Sequence, residues 1–280
     1  MEKIAYLILA HKNSNIFMRL IEKLLSDERS YIYVHVDASV EKADFLVDNC
    51  RVKYVERLHI TLGGASIVHA TVNLLSASVH DECTRFVLLS GDSYPLWDMK
   101  LINDFILFDI KNNLFELYDD NLGERGFNRV KRYWIFGGGS NKFAWFINKV
   151  WIKIQKIIKF ERKYPHTINK VYVGSQWWIM TYEAAKLSLN IIDEKFLKYI
   201  NHSRIPDEFV FHNIVYHFLT AQVENRSCMY YRFSTSLPYK GVEELSSEDC
   251  SLVATERKIF CRKASMNFID RWESEFNVSS

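Results

Sequence analysis

The sequence predicts an α/β fold with a mostly parallel central sheet, on three observations. Apolar runs of strand length alternate with helix-periodic segments through roughly the first hundred residues. The first of these runs is apolar on both faces, as a strand covered by helices on two sides must be. Polar clusters containing His, Asp or Ser follow the runs, and such strand ends form the ligand crevice of a doubly wound sheet.

Ile4–Ala10 is the first run and stops at His11-Lys12-Asn13-Ser14-Asn15. Residues 16–25 carry helical spacing. Residues 31–36 are β-branched and aromatic, a second strand that ends at Asp37. A short third strand is expected at 52–55, and Gly63-Gly64-Ala65-Ser66 leads into a helix over 68–77. Residues 85–89 form a fourth strand ending in Ser90-Gly91-Asp92. The second half is less regular, with strands expected at 114–117, 131–136 and 171–180 and a helix from Glu183. Neither an internal repeat nor a low-complexity linker interrupts the chain, so 1–280 reads as one domain.

Composition narrows the function classes. Hydrophobic residues make up 48% of the chain, ample for a substantial core. The net charge of +2 comes from nearly balanced acids and bases, which argues against a general nucleic-acid binder. An aromatic content of 15% fits both a sugar-handling cleft and an aromatic core. The five cysteines are odd in number and form no Cys-x-x-Cys pair, so neither a disulfide framework nor a zinc site is expected. A reducing cytosol suits that pattern. The run at Ile4–Ala10 is too short to span a bilayer and lacks the flanks of a signal peptide. A chain neither exported nor membrane-spanning is the expectation.

Arg204-Ile205-Pro206-Asp207-Glu208 stands directly before an apolar run. Proline is preorganised for a first helical turn, and carboxylates suit its positive end. Phe209, Val210, Phe211, Ile214, Val215 and Phe218 form the expected buried stripe. Two readings stand side by side: Asp207 and Glu208 cap the helix, or one of them faces a cleft while its neighbours anchor it.

Residues 141–163 interleave Phe, Trp and Ile with Lys and Arg. That pattern resembles an interfacial membrane helix. An ordinary surface helix with its apolar face on the core explains it equally well.

The signatures of P-loop, Rossmann, nucleophile-elbow and zinc-protease chemistry are missing. No Asp-x-Asp sits at a strand end to hold a divalent ion on a diphosphate. Lys240 and Lys263 near the C-terminus offer cations instead, since ammonium groups neutralise a diphosphate leaving group as a metal would. Taken alone, two lysines are ordinary solvated surface charges.

Seven segments in order resemble the core-2/I-branching β-1,6-N-acetylglucosaminyltransferases, a family that also includes peptide O-xylosyltransferases. They are Ile4–Ala10 with His11, then Val34-His35-Val36-Asp37, then Arg57-Leu58 followed by Gly63-Gly64-Ala65-Ser66. Next come Leu89-Ser90-Gly91-Asp92-Ser93-Tyr94-Pro95-Leu96, Gly174-Ser175-Gln176-Trp177-Trp178, Pro206-Asp207-Glu208 and Phe260-Cys261-Arg262-Lys263. No single segment is specific; their order across most of the chain is.

The resemblance implies a GT-A-like nucleotide-sugar transferase fold, transfer of GlcNAc from UDP-GlcNAc with inversion, and neither a divalent metal nor another cofactor. It divides the chain into a nucleotide-binding half, 1–100, and an acceptor-binding and catalytic half, 101–280. The glutamate of Pro-Asp-Glu, Glu208, becomes the catalytic base, with Asp207 left as the cap. His11, Asp37, Gly63 and Ser90 fall among donor contacts, and Lys240 and Lys263 become the diphosphate cations. Lys240 stands where animal members carry arginine, which keeps the charge and loses the bidentate fork. Glu116, Arg125 and Trp177 fall near acceptor contacts. Animal members carry a Golgi anchor, a stem and many cysteines, so this chain resembles a bacterial cytosolic relative. The acceptor is then a glycan, possibly lipid-linked, in surface polysaccharide synthesis. The enzyme would be cytoplasmic and peripheral to the inner membrane, docked through 141–163. Another donor such as UDP-xylose, and a non-catalytic sugar-binding protein, are the alternatives.

Overall fold

The computed structural model describes residues 2–118, 123–138, 142–166, 170–234 and 241–276, the side chain of Arg125 excepted. Strands β1 (Ile4–Ala10), β2 (Ser30–Val36), β3 (Val52–Tyr54) and β4 (Arg85–Ser90) run parallel in the order β3-β2-β1-β4. Helices α1 (Ser14–Leu25) and α2 (Ser66–His80) supply the crossovers. A two-residue hairpin cannot join parallel strands, so the helical spacing between these runs already requires such connections. Ile8 lies between Val34 and Leu89 in register, and all three are fully buried.

Three further strands complete the seven-stranded sheet in the order β4-β7-β6-β8, with β6 (Asn113–Leu117), β7 (Gly174–Thr181) and β8 (Val223–Glu224). Strand β7 runs antiparallel to both neighbours, and β8 pairs parallel with β6. The predicted α/β class therefore holds. A second sheet of three strands has the order β5-β10-β9, with β5 (Ser93–Pro95), β9 (Met229–Tyr230) and β10 (Phe260–Arg262). Tyr94, Leu245, Phe268 and Trp272 form a separate apolar cluster beneath it. That cluster seats the C-terminal strand beside the end of β4.

The other helices are α3 (Met99–Asp104), α4 (Gly123–Lys131), α5 (Lys142–Ile157), α6 (Tyr182–Ile191), α7 (Glu194–Ile200), α8 (Val210–Phe218), α9 (Cys250–Thr255) and α10 (Met266–Arg271). Thr181 caps α6 by accepting from the Ala184 amide, and Asp193 caps α7 by accepting from Phe196. Pro206–Glu208 is a separate 3₁₀ turn, and neither it nor α8 has a side-chain cap. The capping role expected of Asp207 is thus corrected: its carboxyl is turned inward, at 7% exposure for the residue.

Two other expectations change. Residues 131–136 are not a strand; Lys131 closes α4, and the following segment is irregular. The Gln155 side chain accepts from the Tyr133 amide and donates to the Tyr133 carbonyl, each at 2.8 Å. Those are the backbone groups a sheet neighbour would need. Phe218, expected in the buried stripe of α8, is 47% exposed at the helix end, while the other five members are buried.

Helix α5 has the reverse of an ordinary surface pattern. Its buried residues are Asn148, Ile152 and Gln155, and Trp145, Phe146, Val150, Ile154 and Ile157 are exposed. Asn148 accepts from the Phe136 amide and donates to its carbonyl. Polar side chains hold the helix to the protein and leave an apolar face outward. Among the described residues, no helix is long and apolar enough to cross a membrane.

Candidate functional site

Strand order reverses between β1 and β4, because β2 and β3 lie on one side of β1 and β4 on the other. Ligands bind at such switch points, beyond the carboxyl ends of the strands. His11 and Lys12 follow β1, Asp37 follows β2, and Ser90-Gly91-Asp92 closes β4. The Gly91 amide donates to the Leu9 carbonyl at 2.9 Å. A Cβ there would lie 3.2 Å from the Ala10 Cα, so a side chain would push the two strand ends apart. Asp37 accepts from the Ser39 amide at 2.8 Å, which fixes the turn after β2. His35 Nε2 accepts from the Leu58 amide at 2.9 Å, and burial holds its pKa below the usual value. It is a neutral scaffold residue that ties β2 to the loop before Gly63.

Asp92 is the centre of a cation cluster. It is 1% exposed and accepts from the Ser90 hydroxyl at 2.6 Å. Lys12 Nζ lies 3.8 Å from Oδ2 and Arg262 Nη2 lies 3.9 Å from Oδ1. Arg262 Nε donates to the Ser90 hydroxyl at 3.3 Å, and its guanidinium sits 4.6 Å from the centre of the Trp177 ring. Burial lowers the pKa of Lys263, and the neighbouring Lys12 and Arg262 charges lower it further. Three cations therefore gather near Asp92, with Glu244 acting on Lys263 from further off, and the positive charge close to the strand end suits an anion. His11 also lies near Asp92; burial lowers its pKa, and Asp92 opposes that shift.

The second centre is Glu208. Arg129 Nη1 donates to its Oε2 at 2.5 Å, while the Tyr118 hydroxyl lies 3.5 Å from Oε1. Burial raises the Glu208 pKa, and the Arg129 guanidinium offsets part of the rise. One oxygen is thus held and the other is lightly engaged. Ile205, directly before this turn, is left-handed at φ 53°. A β-branched residue rarely adopts that conformation. Its amide donates to the Gly63 carbonyl at 2.8 Å, which fixes the strained residue to the Gly63 loop. Gly63 itself has φ +70°, the region glycine occupies without penalty.

Asp207 behaves differently from its neighbour. Burial, then the Glu208 charge, pushes its pKa up to about 7, and its Oδ1 has no hydrogen-bond partner. Between the ordinary 3.8 and about 7 the folded protein holds a proton that the unfolded chain has released. Stability should therefore fall as pH rises through that window and level off above it. Asp207→Asn should remove this slope and add on the order of 4 kcal/mol at pH 8. Urea denaturation from pH 4 to 8 measures it; parallel profiles for variant and wild type would show Asp207 ionised throughout.

Beside Glu208 lies a cavity of 550 Å³ lined by Glu116, Tyr118, Tyr230, Tyr231 and Phe233, among others. That volume suits a small ligand, and aromatic walls with a carboxylate suit a sugar. Tyr231 donates to Glu116 at 3.0 Å. Tyr118 and Tyr231 also feel the Arg262 charge, so they connect the cation cluster to Glu208.

Pairwise contacts and charges link the sequence-predicted His11, Asp37, Ser90, Lys263 and Trp177 to the Asp92–Arg262 cluster, and Tyr118 and Tyr231 link that cluster to Glu208 and Glu116, while Gly63 braces the Glu208 turn. Trp177 is 7% exposed and carries Arg262 on its ring. Lys240 lies outside the described residues, as does the side chain of Arg125 on α4. Lys12, Arg262 and Asp92 lie within the motif segments, which assign them no individual role, and no local pattern marks Arg129, Tyr118 or Tyr231. Among the described residues, no three His, Cys, Asp or Glu side chains gather closely enough to hold a metal ion.

The family model for the Core-2/I-Branching enzyme matches residues 4–251. No curated protein matches the chain. Among solved structures, it is similar to a putative glucose-1-phosphate thymidylyltransferase from Bacillus anthracis in complex with sucrose. That match has 12% identity and a TM-score of 0.35, over 70% of this chain and 78% of that one. It is also similar to Rv0371c from Mycobacterium tuberculosis H37Rv, at 18% identity and a TM-score of 0.30, over 42% of this chain and 67% of that one.

Proposed function

Since the chain belongs to the core-2/I-branching enzyme family, a family of glycosyltransferases, we propose that it moves GlcNAc from UDP-GlcNAc to a hydroxyl of a glycan, with inversion and without a divalent metal. The observation that carries this reading is the pairing of a half-buried base with a cation cluster in one crevice. Glu208 Oε1 takes the proton of the acceptor hydroxyl as that oxygen attacks C1 of the sugar. The bond from C1 to the diphosphate oxygen breaks, and its electron pair leaves with UDP. Attack opposite the leaving group inverts the anomeric centre from α to β. Lys12, Arg262 and Lys263 stabilise the charge that develops on the diphosphate, with Lys240 assigned beside them by resemblance.

In this reading 1–280 is one domain, with the nucleotide held mainly by 1–100. His11, Asp37 and Gly63 shape the nucleotide site. Ser90 acts by fixing Asp92 and Arg262, since its hydroxyl is already shared between them. Glu116, Arg125 and Trp177 serve the acceptor side. The outward apolar face of α5, with its lysines, supports peripheral contact with an anionic membrane. A cytoplasmic enzyme acting at the inner membrane on a surface-glycan intermediate follows from that contact.

UDP release should be measured with UDP-GlcNAc, UDP-xylose and other UDP-sugars, with EDTA present. Turnover should be highest with UDP-GlcNAc and unchanged by EDTA. Loss of activity in EDTA would refute the metal-free mechanism, a preference for UDP-xylose would reassign the donor, and no release from any donor would favour a sugar-binding protein. Flotation with anionic vesicles tests the membrane contact, which no binding would refute.

A further inference from the structure

A groove of 990 Å³ lies between α4, α5 and the segment at Arg204-Ile205, away from the cation cluster around Asp92. Its lining includes Arg129, Lys149, Lys153, Lys156 and Arg204 and, among the described residues, no acidic one. Arg129 is paired with Glu208, and Lys156 with Glu124 at 2.5 Å. Arg204, Lys149 and Lys153 have no carboxylate partner among the described residues. The Arg204 guanidinium lies 5.3 Å from the Trp134 ring, and burial together with the Arg129 charge lowers its pKa. Lys149 sits 4.1 Å from the centre of the Trp145 ring. The rest of the lining is Asn128 and the apolar Phe146, Val150, Ile152 and Ile205.

Such a groove fits an anionic head joined to an apolar tail. The unpaired cations answer a diphosphate, and the volume exceeds what a diphosphate alone would fill. Trp145, Phe146 and Val150 line the groove and also belong to the exposed face of α5. A tail lying on them passes directly to the surface proposed to meet the membrane. At the other wall, Arg129 lines the groove and holds Glu208. A sugar attached to the bound diphosphate therefore lies within reach of the base.

Resting on the glycosyltransferase reading above, we propose that this groove binds a polyisoprenyl diphosphate and that the acceptor is a short glycan carried on it. Because the groove abuts the Arg129–Glu208 pair, the accepting hydroxyl belongs to one of the first sugars after the diphosphate. The enzyme then acts early in chain assembly, after a reaction that transfers a sugar phosphate to a polyisoprenyl phosphate.

The probe is radiolabelled farnesyl diphosphate in equilibrium dialysis against the full chain, with excess UDP to occupy the donor site. Saturable binding is expected, and Arg204→Ala and Lys153→Glu should each weaken it at least tenfold. Arg204→Lys should retain most of it, which separates loss of charge from loss of fold. Inorganic pyrophosphate should compete more than tenfold less well, and phosphatidylglycerol vesicles should not displace the probe. Equal competition by pyrophosphate would reduce the groove to a plain anion site, and displacement by vesicles would make it part of the membrane surface. No binding, or variants indistinguishable from wild type, would also overturn the proposal. UDP-sugar turnover is read separately: binding without turnover refutes the donor reading alone, and turnover without binding refutes the groove alone.

Discussion

Glu208→Gln should lower UDP-sugar turnover on an acceptor by about 10³-fold, within the 10²–10⁴ that a positioned general base supplies. The amide keeps the size of the carboxylate and cannot take the proton. Donor binding should persist, because the cations proposed to hold the diphosphate, Lys12, Arg262 and Lys263, do not pair with Glu208. The loss should therefore fall on kcat, with the KM for the donor within a few-fold of wild type. The acid limb of the wild-type rate profile carries further information. Burial raises the Glu208 pKa, so the rate should fall with decreasing pH at a midpoint above the ordinary 4.5. Full activity in Glu208→Gln would remove the base from the mechanism.

Gly174→Ala should cost more than about 3 kcal/mol of stability, beyond the usual range of overpacking. A Cβ at residue 174 would lie 1.9 Å from the Glu116 carbonyl oxygen and 2.8 Å from His212 Nε2. Neither neighbour can yield cheaply. The first is backbone of β6 at the register shift between Phe115 and Leu117. The second is a fully buried ring whose pKa burial lowers to about 3, packed edge-on against Phe115 at 5.1 Å. Relief would need β6 and β7 to part at the register shift beside Glu116, which lines the 550 Å³ cavity. Urea denaturation measures the cost, and a loss under 1 kcal/mol would mean that the bulge is plastic.

Gly174 also marks the boundary of what local pattern could reveal. The sequence places it in a strand, and its glycine identity hints at close approach. That the approaching atom is the Glu116 carbonyl depends on a pairing with β6 across more than fifty residues. The parallel half was legible because hydrophobic periodicity and strand-end polar clusters are local signals. Glu208 was legible as a candidate through its ordered neighbours. Its partner Arg129 was not, because a guanidinium on α4 reaches the 3₁₀ turn only after α4 packs beside it.

Asp207 and Glu208 show the same division. By sequence they are adjacent acids before a helix, and either could have capped it. Burial and the single Arg129 charge separate them: burial raises both, Arg129 offsets part of the rise at Glu208, and Asp207 is turned inward with its pKa pushed up to about 7. Local pattern misreads residues 131–136 and leaves the direction of the apolar face within 141–163 open, for a related reason. Side-chain bonds from Asn148 and Gln155 outcompeted the strand propensity of the first segment and turned the apolar face of the second outward.

The sequence by itself determined the α/β class, the polar ends of the parallel strands and the candidate carboxylate directly before α8, because each rests on periodicity or on residues close together in the chain. The tertiary structure alone decided which cations surround Asp92, which carboxyl pairs with Arg129 and which way α5 faces. Those outcomes depend on desolvation and on contacts between distant segments, and both exist only once the chain is packed.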